Sequence, residues 1–171
     1  MKKFTSFLSL FVLLILVSCK SKSDTKLESF DIENQEKRIE ILSEQIKEYS
    51  EILDAEYSLF NANGFGNTVV FVPAASYSDY KMALQIDTTD INKWLVGMYN
   101  AENENAEDSV WINSILDNLT EQRKQNWIEN MEKSNPKRFT MSATNGYTKV
   151  AIIYQNDSLK NAIIFERIIQ E

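Results

Sequence analysis

The sequence predicts an α+β fold: a long N-terminal helix, a mostly antiparallel sheet of about five strands with a helical insert, and a C-terminal three-strand meander. Three observations carry this expectation. Residues 31–61 contain neither Pro nor Gly and repeat apolar side chains at sevens. Residues 80–86 alternate apolar and polar side chains, the period of a half-buried strand. Residues 138–169 hold three β-rich runs, the first two joined by Asn145-Gly146, the strongest short hairpin signal in the chain.

Each element has its own reason. In 31–61 one series is complete (Ile32, Ile39, Ile46, Leu53, Phe60), whereas in the second Leu42 and Tyr49 fit but Gln35 and Glu56 do not. Ile41, Ile52, Tyr57 and Leu59 widen the apolar stripe, which favours a helix packed on its own domain over a narrow coiled-coil seam. An oligomer formed through helix 31–60 is the alternative. Asn63-Gly64-Phe65-Gly66-Asn67 suits a helix end, because Gly and Asn tolerate positive φ. Residues 68–72 read as a strand stopped by Pro73, in a hairpin with strand 80–86, whose Tyr80, Met82, Leu84 and Ile86 share a face.

A short helix follows, capped by Thr88 or Thr89, anchored by Trp94 and Leu95, and ended by Gly97. Residues 100–108 are acidic and Asn-rich, as in a solvated loop. Helices are expected over 109–119 (Trp111, Ile112, Ile115, Leu116, Leu119) and 122–133 (Trp127, Ile128, Met131), the latter broken by Asn135-Pro136. Strands then cover 138–143, 147–154 and 160–169. Val150, Ala151, Ile152 and Ile153 are apolar on both faces, so the middle strand should be central and covered on each side.

The N-terminus has a different logic. Lys2 and Lys3 precede an apolar run over 7–17, interrupted by Ser9 and followed by Leu16-Val17-Ser18-Cys19. This is the layout of a secretory signal, and it is short for a membrane span, which takes about 20 apolar residues. The last four residues resemble the lipobox of bacterial lipoproteins. The resemblance implies that Cys19 receives diacylglycerol, that residues 1–18 are removed, and that the new amine is acylated. Two or more chains anchor durably where one does not. The resemblance also implies a cell-envelope location, and Lys20, where an aspartate would mark inner-membrane retention, favours the outer membrane. Residues 19–30 then read as a flexible tether and 31–171 as a single domain.

Composition narrows the function. The chain has 18 Lys+Arg against 25 Asp+Glu, a net charge of −7, and loss of Lys2 and Lys3 on cleavage makes it −9. So acidic a surface disfavours nucleic acid as a partner. There is no histidine, and Cys19 is the one cysteine, so Ser-His-Asp catalysis, Cys-His catalysis and Cys/His zinc sites have no residues to use. No catalytic residue, metal ligand or cofactor is expected. Glu102, Glu104, Glu107 and Asp108 cluster in sequence without the spacing of an EF-hand loop, and read as a solvated face. Trp94, Trp111 and Trp127 fall one on each short helix; core packing is their first reading, and a partner-facing patch their second. The resulting expectation is a membrane-anchored, non-enzymatic module that binds an envelope protein, an inhibitor or immunity protein being one form. The alternatives are a lipoprotein that self-assembles through helix 31–60 and a carboxylate-based glycan hydrolase.

Overall fold

The computed structural model describes residues 24–65, 77–101, 106–143, 146–155 and 160–171. Its frame is one antiparallel sheet of seven strands: β1 (Asp24–Glu28), β2 (Asp54–Phe65), β3 (Ser78–Asp87), β4 (Tyr99–Asn100), β5 (Asn135–Ser142), β6 (Tyr147–Gln155) and β7 (Asn161–Gln170), in the order β1-β2-β3-β7-β6-β5-β4. The helices are α1 (Gln35–Ser43), α2 (Ile91–Trp94), α3 (Ala106–Leu116) and α4 (Glu121–Glu132). The fold is therefore α+β and antiparallel, but the described residues form seven strands rather than about five, and residues 31–60 do not form a long helix.

Period two decides which side chains share a face. On one face, Ala55, Tyr57 and Leu59 of β2 lie beside Met82, Leu84 and Ile86 of β3, with Ala162 and Ile164 of β7 and Ala151 and Ile153 of β6; Leu42 of α1 and Trp94 of α2 complete that core. On the other face, Ala83, Ile152, Ile163 and Phe165 meet Trp111, Ile112, Ile115 and Leu116 of α3, and Trp127 of α4. β7 lies at the centre of the strand order and is buried from Ala162 to Glu166. The C-terminal meander has the expected β5-β6-β7 pairing, and residues 151–153 of β6 are buried, as a strand covered on both sides requires.

The largest departure is at 31–60. α1 is nine residues long, starts where the Asn34 side chain accepts from the Lys37 amide at 2.7 Å, and ends at Ser43. Residues 44–53 then cross to β2. The sevenfold series is not one stripe: Ile39 and Ile46 pack on the core from helix and loop, while Phe60 belongs to β2. Local helix propensity is weak beside a strand slot flanked on both sides, which β2 fills by pairing with β1 and β3. The two positions that broke the second series are anchors. The Gln35 side chain donates to the Leu53 carbonyl, and Glu56 is fully buried.

Three further expectations need correction. Residues 24–28 are not tether but an edge strand, paired from Glu28↔Ser58 to Asp24↔Phe65 across an irregular register. Asp87, not Thr88 or Thr89, caps the turn into α2; its carboxylate accepts from the Thr89 amide at 2.8 Å and hydroxyl at 2.7 Å, and these bonds lower its pKa. Asp108 is not in a solvated loop: it sits in α3, buried, 2.6 Å from Arg138. β3 pairs with β2 and β7; the strand expected at 68–72 lies outside the described residues, as do Cys19, Glu102, Glu104 and Asn145. Gly97 and Gly146 both have the positive φ that their turns demand, +80° and +77°.

Candidate functional site

The three tryptophans do not form a surface. Trp94, Trp111 and Trp127 are 1, 3 and 4 % exposed, and the indole N–H of Trp94 donates to Ser50 Oγ at 2.8 Å. The partner-facing reading of these residues therefore gives way to the core reading. Helix 31–60, the proposed route to self-assembly, is absent, so that surface is lost too.

What the fold builds instead is a half-open cavity of about 390 Å³ on the α1 face of the sheet, past the end of the apolar core. Four strands supply its floor, and residues 45–49, leaving α1, form one wall. The strand register explains its composition. Met82, Glu166 and Ala151 lie in one cross-strand row, Tyr80, Ile168 and Lys149 in the next, and Ser78, Gln170 and Tyr147 beyond. Moving along these rows, the face changes from aliphatic to polar and aromatic.

Lys149 and Glu166 are diagonal neighbours on β6 and β7, with their ions 2.7 Å apart and their side chains 5 and 2 % exposed. Burial pushes the Glu166 carboxyl above the usual carboxylate range, and the Lys149 charge opposes that rise. Glu166 Oε2 is closed to solvent, and the 2.7 Å contact with Lys149 Nζ is what balances its charge. Lys149 Nζ donates to the Trp94 carbonyl over a long 3.4 Å and lies 5.1 Å from the centre of the Tyr49 ring. Lys47 approaches the same ring at 5.0 Å, and the ring stands edge-on to Trp94. Tyr80 accepts from the Asn61 amide at 3.3 Å. Burial raises the Tyr147 phenol, and Glu166 adds to the shift.

A buried charge invites comparison with the other ion network. The Glu56 carboxylate accepts from Arg123 Nε at 3.0 Å and from Ser29 Oγ at 2.7 Å, and Arg38 Nε stands 3.5 Å away. Arg123 also donates to the carbonyls of Ser29 and Phe30, and Arg38 to those of Ile32, Glu33 and Ala55. Arg38 thus satisfies a β2 carbonyl beyond the end of β1, where a neighbouring strand would otherwise be needed. Every charge there has a structural use, which makes that network a clamp joining β1, α1, β2 and α4. Near it, a second hollow of about 330 Å³ is bounded by Asp54 and Trp127, and Asp54 is held by Arg38 at 2.7 Å.

None of Lys149, Glu166, Lys47 and Tyr49 stood out in the sequence as site residues. A signal was present: in β7 the inward row reads Ala162, Ile164, Glu166, Ile168, and in β6 Tyr147, Lys149, Ala151, Ile153, so each row has one charge on an otherwise uncharged face. Among the described residues no cluster of three or more metal-ligating side chains occurs, and no helix is long and apolar enough to cross a membrane. Comparison with models of protein families, with curated proteins and with solved structures gives no match.

Proposed function

We propose that this chain is a lipid-anchored envelope lipoprotein that acts by binding, and that its binding site is the cavity above Lys149 and Glu166. The observation that carries this reading is the placement of a buried ion pair at the floor of a concave, polar-aromatic pocket of ligand size, about 390 Å³. The anchor is lipid on Cys19, and the outer membrane is the favoured location, as the lipobox resemblance implies. An envelope protein remains a candidate occupant if it presents a segment narrow enough to enter; the core placement of the tryptophans favours a small ligand or such a segment over a broad flat interface.

The hydrolase alternative gains little from the site. Among the described lining residues Glu166 is the sole carboxylate, whereas glycoside hydrolysis ordinarily uses two.

Two measurements test the proposal. Metabolic labelling with palmitate should mark the wild-type chain, and Cys19→Ala should abolish both label and membrane association; a labelled variant would refute the anchor. A photo-crosslinking residue at Gln45, on the cavity wall, should capture a ligand or partner in the native envelope that the same residue at Val110, exposed on α3, does not. Equal capture at both positions would refute the cavity as the site.

A further inference from the structure

The cavity reading leaves the ligand's chemistry open, and the lining residues narrow it. The inference rests on that reading and deepens it. Charge is the first filter. Lys149 and Glu166 compensate each other, so a ligand that drew either into a new ion pair would leave the other buried without its counter-ion. A net charge on the ligand is therefore unfavourable. Among the described lining residues there is no arginine, the forked donor suited to carboxylate or phosphate. Lys47, the other cation among the described lining residues, lies over the Tyr49 ring and would repel a cationic ligand.

Hydrogen-bonding capacity is the second filter. Lys149 Nζ and Glu166 Oε2 face each other at 2.7 Å with almost no exposure, so they keep the floor neutral and leave the hydrogen bonding to the groups around them. Gln45, Asn61, Asn63 and Gln170 place four amides around them, each both donor and acceptor. The complementary ligand group is one that donates and accepts at once, and repeats at short spacing: the hydroxyl. Shape is the third. Tyr49, Tyr80 and Tyr147 add flat, half-buried rings whose apolar bodies suit the C–H faces of a ring otherwise covered in hydroxyls. The volume suits roughly one or two pyranose rings.

We infer that the cavity binds a neutral saccharide, with the Lys149–Glu166 pair keeping the floor neutral beneath it, the amides bonding to its hydroxyls, and the tyrosine rings packing against the sugar's C–H face.

The test uses the lipidated mature chain in detergent. Glucose, galactose, N-acetylglucosamine and arabinose are offered in turn at millimolar concentration, beside serine and inorganic phosphate. Saturation-transfer NMR and the fluorescence of Trp94, which touches Tyr49, report binding. At least one neutral sugar should bind, with little dependence on salt. Tyr49→Ala and, separately, Asn61→Ala should each weaken it roughly tenfold or more, and Val110→Ala should leave it unchanged. Binding of serine or phosphate in place of every sugar would overturn the saccharide assignment and leave the cavity as the site. So would failure of every probe, provided that crosslinking at Gln45 still captures a partner. Sugar binding that survives both Tyr49→Ala and Asn61→Ala would overturn the cavity reading as well, because the sugar would then sit elsewhere.

Discussion

Replacing Lys149 with methionine tests the physical account of the cavity floor. The substitution keeps most of the side chain's apolar volume and removes its charge, leaving Glu166, 2 % exposed, without its counter-ion. Breaking a buried pair from one side costs about 3–5 kcal/mol. In a chain of this size 1 kcal/mol moves Tm by about 2–4 °C, so Tm at pH 7 should fall by roughly 6–20 °C. The loss should depend on pH, with a definite sign. Glu166 already has a folded-state pKa above its unfolded value, and removing Lys149 takes away the charge that opposes the rise. A carboxyl so raised holds its proton more tightly in the folded state. Its favourable contribution is fully present below the unfolded pKa, about 4.3, and is lost as pH rises through the folded pKa. The deficit of Lys149→Met should thus be greatest near neutral pH and shrink as pH falls toward about 4–5. Urea titrations at several pH values, followed by the fluorescence of the three buried tryptophans, measure it. The double variant Lys149→Met/Glu166→Leu should recover most of the loss, since an apolar pair can replace a buried ionic one at little cost. A single-variant loss below about 1 kcal/mol at pH 7, or a deficit independent of pH, would refute the reasoning.

Other consequences follow from the remaining polar groups and turns. Tyr57 is fully buried, its hydroxyl has no hydrogen-bond partner among the described residues, and desolvation pushes its pKa up to about 12. Tyr57→Phe should be neutral or stabilising by up to about 1 kcal/mol; a loss above about 2 kcal/mol in denaturant would reveal a bond to that hydroxyl. Arg123→Ala strips the buried Glu56 of two donors and releases two carbonyls near β1. A loss of about 3 kcal/mol or more is expected, and Arg123→Lys should recover little of it because the fork is missing; hydrogen exchange should show β1 opening first, and an unchanged β1 would count against the clamp. Gly146 has φ +77°, and a Cβ there would stand 2.7 Å from the Glu171 carbonyl oxygen. Gly146→Ala should cost at least about 1–2 kcal/mol, a figure that a denaturant midpoint equal to wild type would contradict.

The elements legible in the chain are those whose local pattern and tertiary place agree. In β3, Tyr80, Met82, Leu84 and Ile86 alternate because one side of the strand faces a core, and that is visible in seven residues. α3 and α4 each carry one tryptophan among apolar residues at helical spacing, and begin and end within a few residues of the positions expected. β5, β6 and β7 are neighbours both in the chain and in the sheet, so their meander needed no long-range information. The proposal of lipid attachment at Cys19 and the exclusion of histidine chemistry likewise rest on sequence alone.

The remaining features depend on long-range pairing. Residues 54–65 have a helix-compatible composition, yet Ala55, Tyr57 and Leu59 also alternate, and only the presence of β1 and β3 on either side selects the strand. Asp24–Glu28 has no apolar row to announce it and is a strand because β2 offers an unpaired edge. Glu56 looked like a flaw in a heptad until Arg38 and Arg123, distant in sequence, closed around it. The cavity is the extreme case. Lys149 and Glu166 meet only because the β6–β7 register sets them on one face and one diagonal, and Tyr49 reaches them only because α1 stops at Ser43 and lets the chain turn over the sheet. Periodicity in a sequence reports which side of an element is buried. It carries no information about which strand will lie alongside, and a site assembled from four strands and a loop depends on that.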